Sequence, residues 1–182
     1  MIAIIIIAIL VILVIAYVAA YNGLVKYRNR AQEFSSQIDV QLKRRTDLIP
    51  NLVETVKGYA SHEKETLANI VELRNSVNNA STLQEKVDAD TQLTGALRQV
   101  FALSESYPDL KANQQFGQLM EELSNTENKI AYSRQAYNSQ VQSYDTALET
   151  FPRNIVAGIH HFEKMDYLNI PDAEKVAPEV KF

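Results

Sequence analysis

His62-Glu63 is the pair in this chain that most resembles catalytic chemistry. A zinc-binding helix of the metalloprotease kind needs a second His four residues after the first, because i and i+4 share one helix face. Thr66 occupies that place. A di-metal site in a helical bundle needs paired Glu-x-x-His motifs, and none occurs. The chain holds three His, of which His160 and His161 stand side by side near the far end. It has no Cys, no Gly-x-Ser-x-Gly turn for a nucleophile and no glycine-rich phosphate loop. Asp39 and Glu63 could in principle act as general acid and base, but a solvated or ion-paired helix face explains such carboxylates more simply. The residues therefore point away from an enzyme, and no cofactor or metal is expected. A net charge of −4, no Trp and basic residues interleaved with acids also argue against nucleic acid.

The elements that would carry these residues begin with an unbroken apolar run from Ile2 to Ala20, and no charged side chain precedes Lys26. At about 1.5 Å per residue, nineteen helical residues reach roughly 29 Å, the thickness of a bilayer's hydrocarbon core. Ile2, Ile7, Val11 and Ile15 lie in this run, and Tyr17 and Tyr21 mark its C-terminal edge, where amphipathic rings favour the headgroup level. The rival is a cleaved signal peptide ending near Val18-Ala19-Ala20, but the run is long for one and no basic residue precedes it. Lys26, Arg28 and Arg30 follow the run. Their excess predicts a single-pass anchor in the cell membrane with the following domain in the cytoplasm.

Beyond the anchor, apolar residues recur by threes and fours, five Gly and five Pro act as punctuation, and no strand-like alternation persists. Leu24, Ala31, Phe34, Ile38 and Leu42 form one stripe; Ile49, Val53, Val56, Ala60, Leu67, Ile70 and Val77 form a second. Leu83, Val87, Leu93, Leu97, Val100 and Phe101 carry a third, and a fourth runs from Phe116 to Phe151. Pro50 marks either a reversal or a kink. Reversal gives helices of roughly 24, 29, 24 and 42 residues, the first three matching as neighbours. The expected fold is all-α: an N-terminal transmembrane helix, then an up-and-down, four-helix antiparallel bundle.

The expected segments are an anchor over 1–22, a bundle over 23–151, a short amphipathic helix over 152–168 and a poorly ordered tail over 169–182. Ile155, Val156, Ile159, Phe162 and Met165 form the apolar side of that short helix. It would either lie on the membrane beside the anchor or cap the open end of the bundle. Charges also fall on the apolar seams, at Arg45, Glu63, Arg74, Glu127 and Arg134. They either snorkel to water or pair to set helix register. An axial offset of about 7 Å between Arg74 and Glu127 makes those two the expected ion pair.

Several stretches resemble one family. Asn22, Arg28 and Asn29 follow the anchor; then come Asp39, Lys43-Arg44-Arg45, Asp47-Leu48-Ile49-Pro50-Asn51-Leu52-Val53, Lys57, Tyr59 and His62-Glu63. Tyr137-Asn138 and Phe151-Pro152 follow near the far end. Together they resemble the LemA family of bacterial membrane-anchored helical proteins, nearly end to end. Thr46 departs from the pattern, which implies an aromatic there. The resemblance implies an anchor and a helical bundle, and it supplies no catalytic residues. The function expected is a non-catalytic scaffold or adaptor that self-associates or binds other membrane proteins. A membrane-shaping, lipid-contacting homo-oligomer and an accessory subunit of a membrane enzyme are the alternatives. Membrane lipid and further copies of the chain are the expected partners.

Overall fold

The computed structural model describes residues 1–169. The expectation of a poorly ordered tail falls almost wholly on 170–182, outside the described residues. Among the described residues there is no strand, and six helices follow in order: α1 (Ile2–Lys57), α2 (Lys64–Asn79), α3 (Leu83–Ser104), α4 (Pro108–Lys111), α5 (Gln114–Glu149) and α6 (Arg153–Ile159). α1 contains an 18-residue window of mean hydropathy 3.5, none of it buried against protein. The chain divides into two compact units that interleave in sequence. The first comprises 1–35 and 135–168; the second comprises 36–134 and the segment that starts at Asn169.

The second unit is an up-and-down four-helix bundle built from the C-terminal part of α1, then α2, α3 and the N-terminal part of α5. Short connections make sequential helices antiparallel. Asp39 therefore meets Lys86, and Arg45 meets Asp90, along the parallel pair α1 and α3. Leu42, Ile49, Val56, Ile70, Val87, Leu93, Val100 and Leu123 are all buried, as the stripes require.

The reversal favoured at Pro50 does not occur there. α1 runs through Pro50 without a break, and the chain turns instead between Gly58 and Glu63, closed by bonds from the Tyr59 and Ala60 amides to the Val56 carbonyl. A proline inside a helix removes the bond to the carbonyl four residues back. Here that carbonyl belongs to Thr46, a fully buried residue. Arg74 repairs the loss: its Nε donates to the Thr46 oxygen at 3.0 Å. The helix survives because a neighbour supplies the donor that proline lacks.

The same fact displaces the expected Arg74–Glu127 pair. That pairing assumed a second helix starting at Pro50. With α2 starting at Lys64, Arg74 sits only ten residues along it and reaches Thr46 and Asn75. Glu127 instead accepts from Arg45 and Arg98.

In the first unit, Ala20 and Leu24 of α1, Ala147 of α5, and Val156 and Ala157 of α6 form a buried cluster, flanked by Tyr27, Leu148 and Phe162. Small side chains let the three helices approach closely. α6 is shorter than the amphipathic helix expected over 152–168. His161 adopts a left-handed φ of 52°, the Phe162 amide bonds the Ala157 carbonyl at 3.0 Å, and the His161 amide bonds that of Gly158 at 3.4 Å. This is a Schellman cap, with His at the place glycine usually fills. Beyond it the backbone is held by α5 side chains. Asn138 bonds both the amide and the carbonyl of Leu168, at 2.9 and 2.8 Å, and the Tyr137 hydroxyl donates to the Asp166 carbonyl.

Two outcomes are expected in urea unfolding of the full chain in detergent, followed by helical circular dichroism. Arg74→Met should cost about 1–3 kcal/mol by stranding a buried carbonyl, and much less in a Pro50→Ala background, where the restored amide can bond Thr46. At the start of α3, Thr82 and Glu85 form a capping box, and Thr82→Ala should cost about 1 kcal/mol. The Thr82 and Ser81 amides hold the Glu85 carboxyl below its ordinary value. Its contribution is thus present above the ordinary carboxylate pKa and fades as pH falls through the lowered one, a dependence that Glu85→Gln should remove.

Candidate functional site

The interior of the four-helix bundle is polar at one level. Arg45 of α1, 1% exposed, directs Nη1 at both carboxylate oxygens of Asp90, at 3.0 and 2.9 Å, and at the Thr94 hydroxyl at 2.8 Å. Its Nη2 reaches Glu127 of α5 at 3.3 Å, and Glu127 also takes Arg98 at 3.3 Å. Burial pushes the Asp90 carboxyl up from its ordinary value, and the Arg45 guanidinium pulls it back down. Both Nη groups of Arg45 are spent on Asp90, Thr94 and Glu127, while its buried Nε has no hydrogen-bond partner, so the cluster does structural work: it fixes register among three helices.

Sequence spacing had marked Arg45 and Glu127 as seam charges but not Asp90 or Thr94. The signal was present, since Val87, Asp90, Thr94 and Leu97 recur by threes and fours on the buried side of α3. Most other signature residues are also partnered. Arg44 meets Glu122 at 2.6 Å, Asp47 pairs with Lys43, Lys57 with Glu54, and Tyr59 accepts from Asn113 at 2.9 Å. The Asn51 carbonyl accepts from the Thr55 hydroxyl within the helix. Thr46, the departure from the family pattern, donates to the Lys43 carbonyl and lies 3.1 Å from the Asn78 side-chain oxygen. Glu63 accepts the Tyr107 hydroxyl at 3.2 Å, while His62 is exposed beside it. Among the described residues no group of three His, Asp or Glu is placed to hold a metal ion.

One open feature of this unit is a groove of about 940 Å³ along α1 and α2, floored by Val53, Leu67, Ala68 and Val71. Lys57, Lys64 and Glu72 border it, with Asn75 and Ser76 towards the other end.

The first unit carries an aromatic cluster at the end of the apolar run. The Tyr17 hydroxyl and His160 Nε2 are 2.6 Å apart, and the His160 ring lies 4.7 Å from that of Tyr21. Phe162 stands edge-on to Tyr21, and Arg28 lies 5.4 Å from the Phe162 ring centre. Arg153 lies 5.5 Å from the Tyr27 ring centre and packs over Gly23, where an added Cβ would meet its Nε at 3.4 Å. Tyr21, Arg28, Tyr144, His161 and Glu163 help line a cavity of about 440 Å³. Burial pushes the Tyr144 phenol up, and Arg28 pulls it down. Of the anchor residues, Ile2, Ile7, Val11 and Ile15 are exposed along the apolar part of α1, as are Asn22 and Asn29 after it. The Phe151–Pro152 peptide is cis, and Phe151 is exposed.

A long apolar N-terminal helix continuing into a four-helix bundle defines a membrane-associated all-α protein. The chain belongs to the LemA family, whose sequence model matches residues 34–182. It is 32% identical over 159 residues to protein LemA of Metamycoplasma hominis, covering 85% of this chain and 68% of that relative. It is also similar to two magnetosome proteins. Against MamQ 2 of Paramagnetospirillum magneticum it is 24% identical over 184 residues, covering 85% and 68%. Against MamQ of Magnetospirillum gryphiswaldense it is 23% identical over 175 residues, covering 82% of this chain and 64% of that protein.

Arg45→Met should cost about 3–5 kcal/mol by leaving the Asp90 carboxyl buried without its cation, and Asp90→Leu should cost less, because Arg45 keeps Thr94 and Glu127. The double variant should be more stable than either single one. A thermodynamic cycle from urea unfolding measures this coupling, and simple additivity would reject it.

Proposed function

We propose that this protein is a non-catalytic membrane scaffold: a single-pass anchor holds a cytoplasmic helical bundle that assembles with further copies of itself. The observation that carries this reading is the groove along α1 and α2. It is long, apolar on its floor and bordered by charge of both signs, a shape suited to the apolar face of another helix. Val71 is 38% exposed within it. Anchoring favours a second copy as the occupant. Copies in one bilayer share an orientation and a thin layer, which raises their effective concentration without any new contact. Lys57 and Lys64 near one end and Glu72 further along give the groove a polarity that sets the direction of the helix it accepts. The cytoplasmic side rests on Lys26, Arg28 and Arg30 after the apolar run.

The full-length protein in nanodiscs or mild detergent should give a discrete homo-oligomer by native mass spectrometry. Val71→Glu should weaken association by about 3 kcal/mol, roughly a hundredfold, by placing a charge in an apolar contact. A monomeric parent protein would refute self-assembly and leave the groove to another membrane protein.

A further inference from the structure

Phe151, Ile155 and Ile159 are 74%, 54% and 59% exposed, although they sit in or beside a seven-residue helix whose other side is buried. Val156 and Ala157 face inward, onto Ala20 and Leu24 of α1 and Ala147 of α5. Ile155 and Ile159 are four apart, so they share the opposite, outward face of α6. The depth of this face along α1 is fixed by contacts within the same unit. His160 bonds the hydroxyl of Tyr17, a residue inside the apolar run, and stacks near Tyr21 at its edge. α6 therefore ends level with the last apolar turn of the anchor. Tyr17 and Val18 are themselves 40% and 48% exposed there, so the apolar surface of α1 continues towards α6.

We propose that Phe151, Ile155 and Ile159 form a second membrane contact, a foot seated in the boundary between headgroups and acyl chains beside the anchor. The occupant is the bilayer, because this face continues a surface that already belongs in lipid. Tyr17, Tyr21 and His160 then lie at the depth where rings with one polar edge are best placed. Arg153, packed on Tyr27 in the first turn of α6, sits where its charge can meet lipid phosphate. The foot holds through its contacts with Ala20 and Leu24, so it is positioned by the anchor. The proposal rests on the membrane reading of α1 and is independent of self-assembly.

The absence of Trp from the chain supplies the test. Phe151→Trp, Ile155→Trp and Ile159→Trp each introduce a unique fluorophore at an exposed apolar place. Each full-length variant is reconstituted in phosphatidylcholine vesicles, with or without bromine on the acyl chains. Val18→Trp reports the anchor, and Tyr132→Trp, in the four-helix bundle, reports water. The expected result is quenching at the three foot positions comparable with Val18→Trp, and none at Tyr132→Trp. Unquenched, red-shifted emission from the foot alongside a quenched Val18→Trp would overturn the foot and leave the anchor standing. Unquenched but blue-shifted emission would also overturn it, assigning the face to a protein contact. An unquenched Val18→Trp would overturn the membrane reading and the foot together.

Discussion

One turn of α1, from Arg45 to Pro50, ties the four-helix bundle together. Arg45 points into the core and must be neutralised there, which draws in Asp90 and Thr94 of α3 and Glu127 of α5. Its neighbour Thr46 has a carbonyl without a helical donor, because Pro50 stands four residues on, and that draws in Arg74 of α2. Two local deficits, a buried cation and an orphaned acceptor, are each met only when the other helices dock in one register. Apolar stripes alone tolerate sliding by a turn; these polar demands do not. Within the Lys-Arg-Arg-x-Asp-Leu-Ile-Pro-Asn run, Arg45, Thr46 and Pro50 thus act together as a register device.

The first unit solves a different problem. Three helices meet at the end of the apolar run, and Ala20, Ala147 and Ala157 keep the contact close. Aromatic and cationic groups are layered outside this contact: Tyr17 and Tyr21 on His160, Arg28 on Phe162, Arg153 on Tyr27. Rings with polar edges and long-stemmed cations tolerate both hydrocarbon and water, which suits them to the polarity gradient at a bilayer surface. Asn138 makes the unit continuous with the chain beyond α6 by supplying the amide and carbonyl partners that a strand neighbour would otherwise provide.

Much of this was legible before any coordinates. The apolar run, the helical class and the stripes Leu24–Leu42 and Ile49–Val77 read directly from spacing, and the apolar residues of both stripes are buried except the half-buried Phe34. What failed has physical causes. Pro50 looked like a break because its penalty is local, while its remedy, Arg74, lies 28 residues from the carbonyl it serves. α6 looked longer because Phe162 and Met165 continue its period, yet a cap on a non-glycine residue leaves no mark in composition. Phe101 and Phe151 continue apolar stripes but lie exposed, since a stripe tells which side is apolar and not whether anything covers it. Of the site, Arg45 and Glu127 were visible as misplaced charges. Asp90 was missed because one acid among apolar neighbours reads equally well as the edge of a solvated face.

The long-range partnering of Arg45 also bears on biosynthesis. Asp90 follows it by 45 residues and Glu127 by 82. At about 5–20 residues per second, the first counter-charge leaves the ribosome roughly 2–9 s after Arg45 does. Throughout that interval the guanidinium must stay hydrated, so α1 cannot close its core-facing side against α2 alone. Burial of that side of α1 is thus coupled to the arrival of α3 and α5, which bring Asp90 and Glu127.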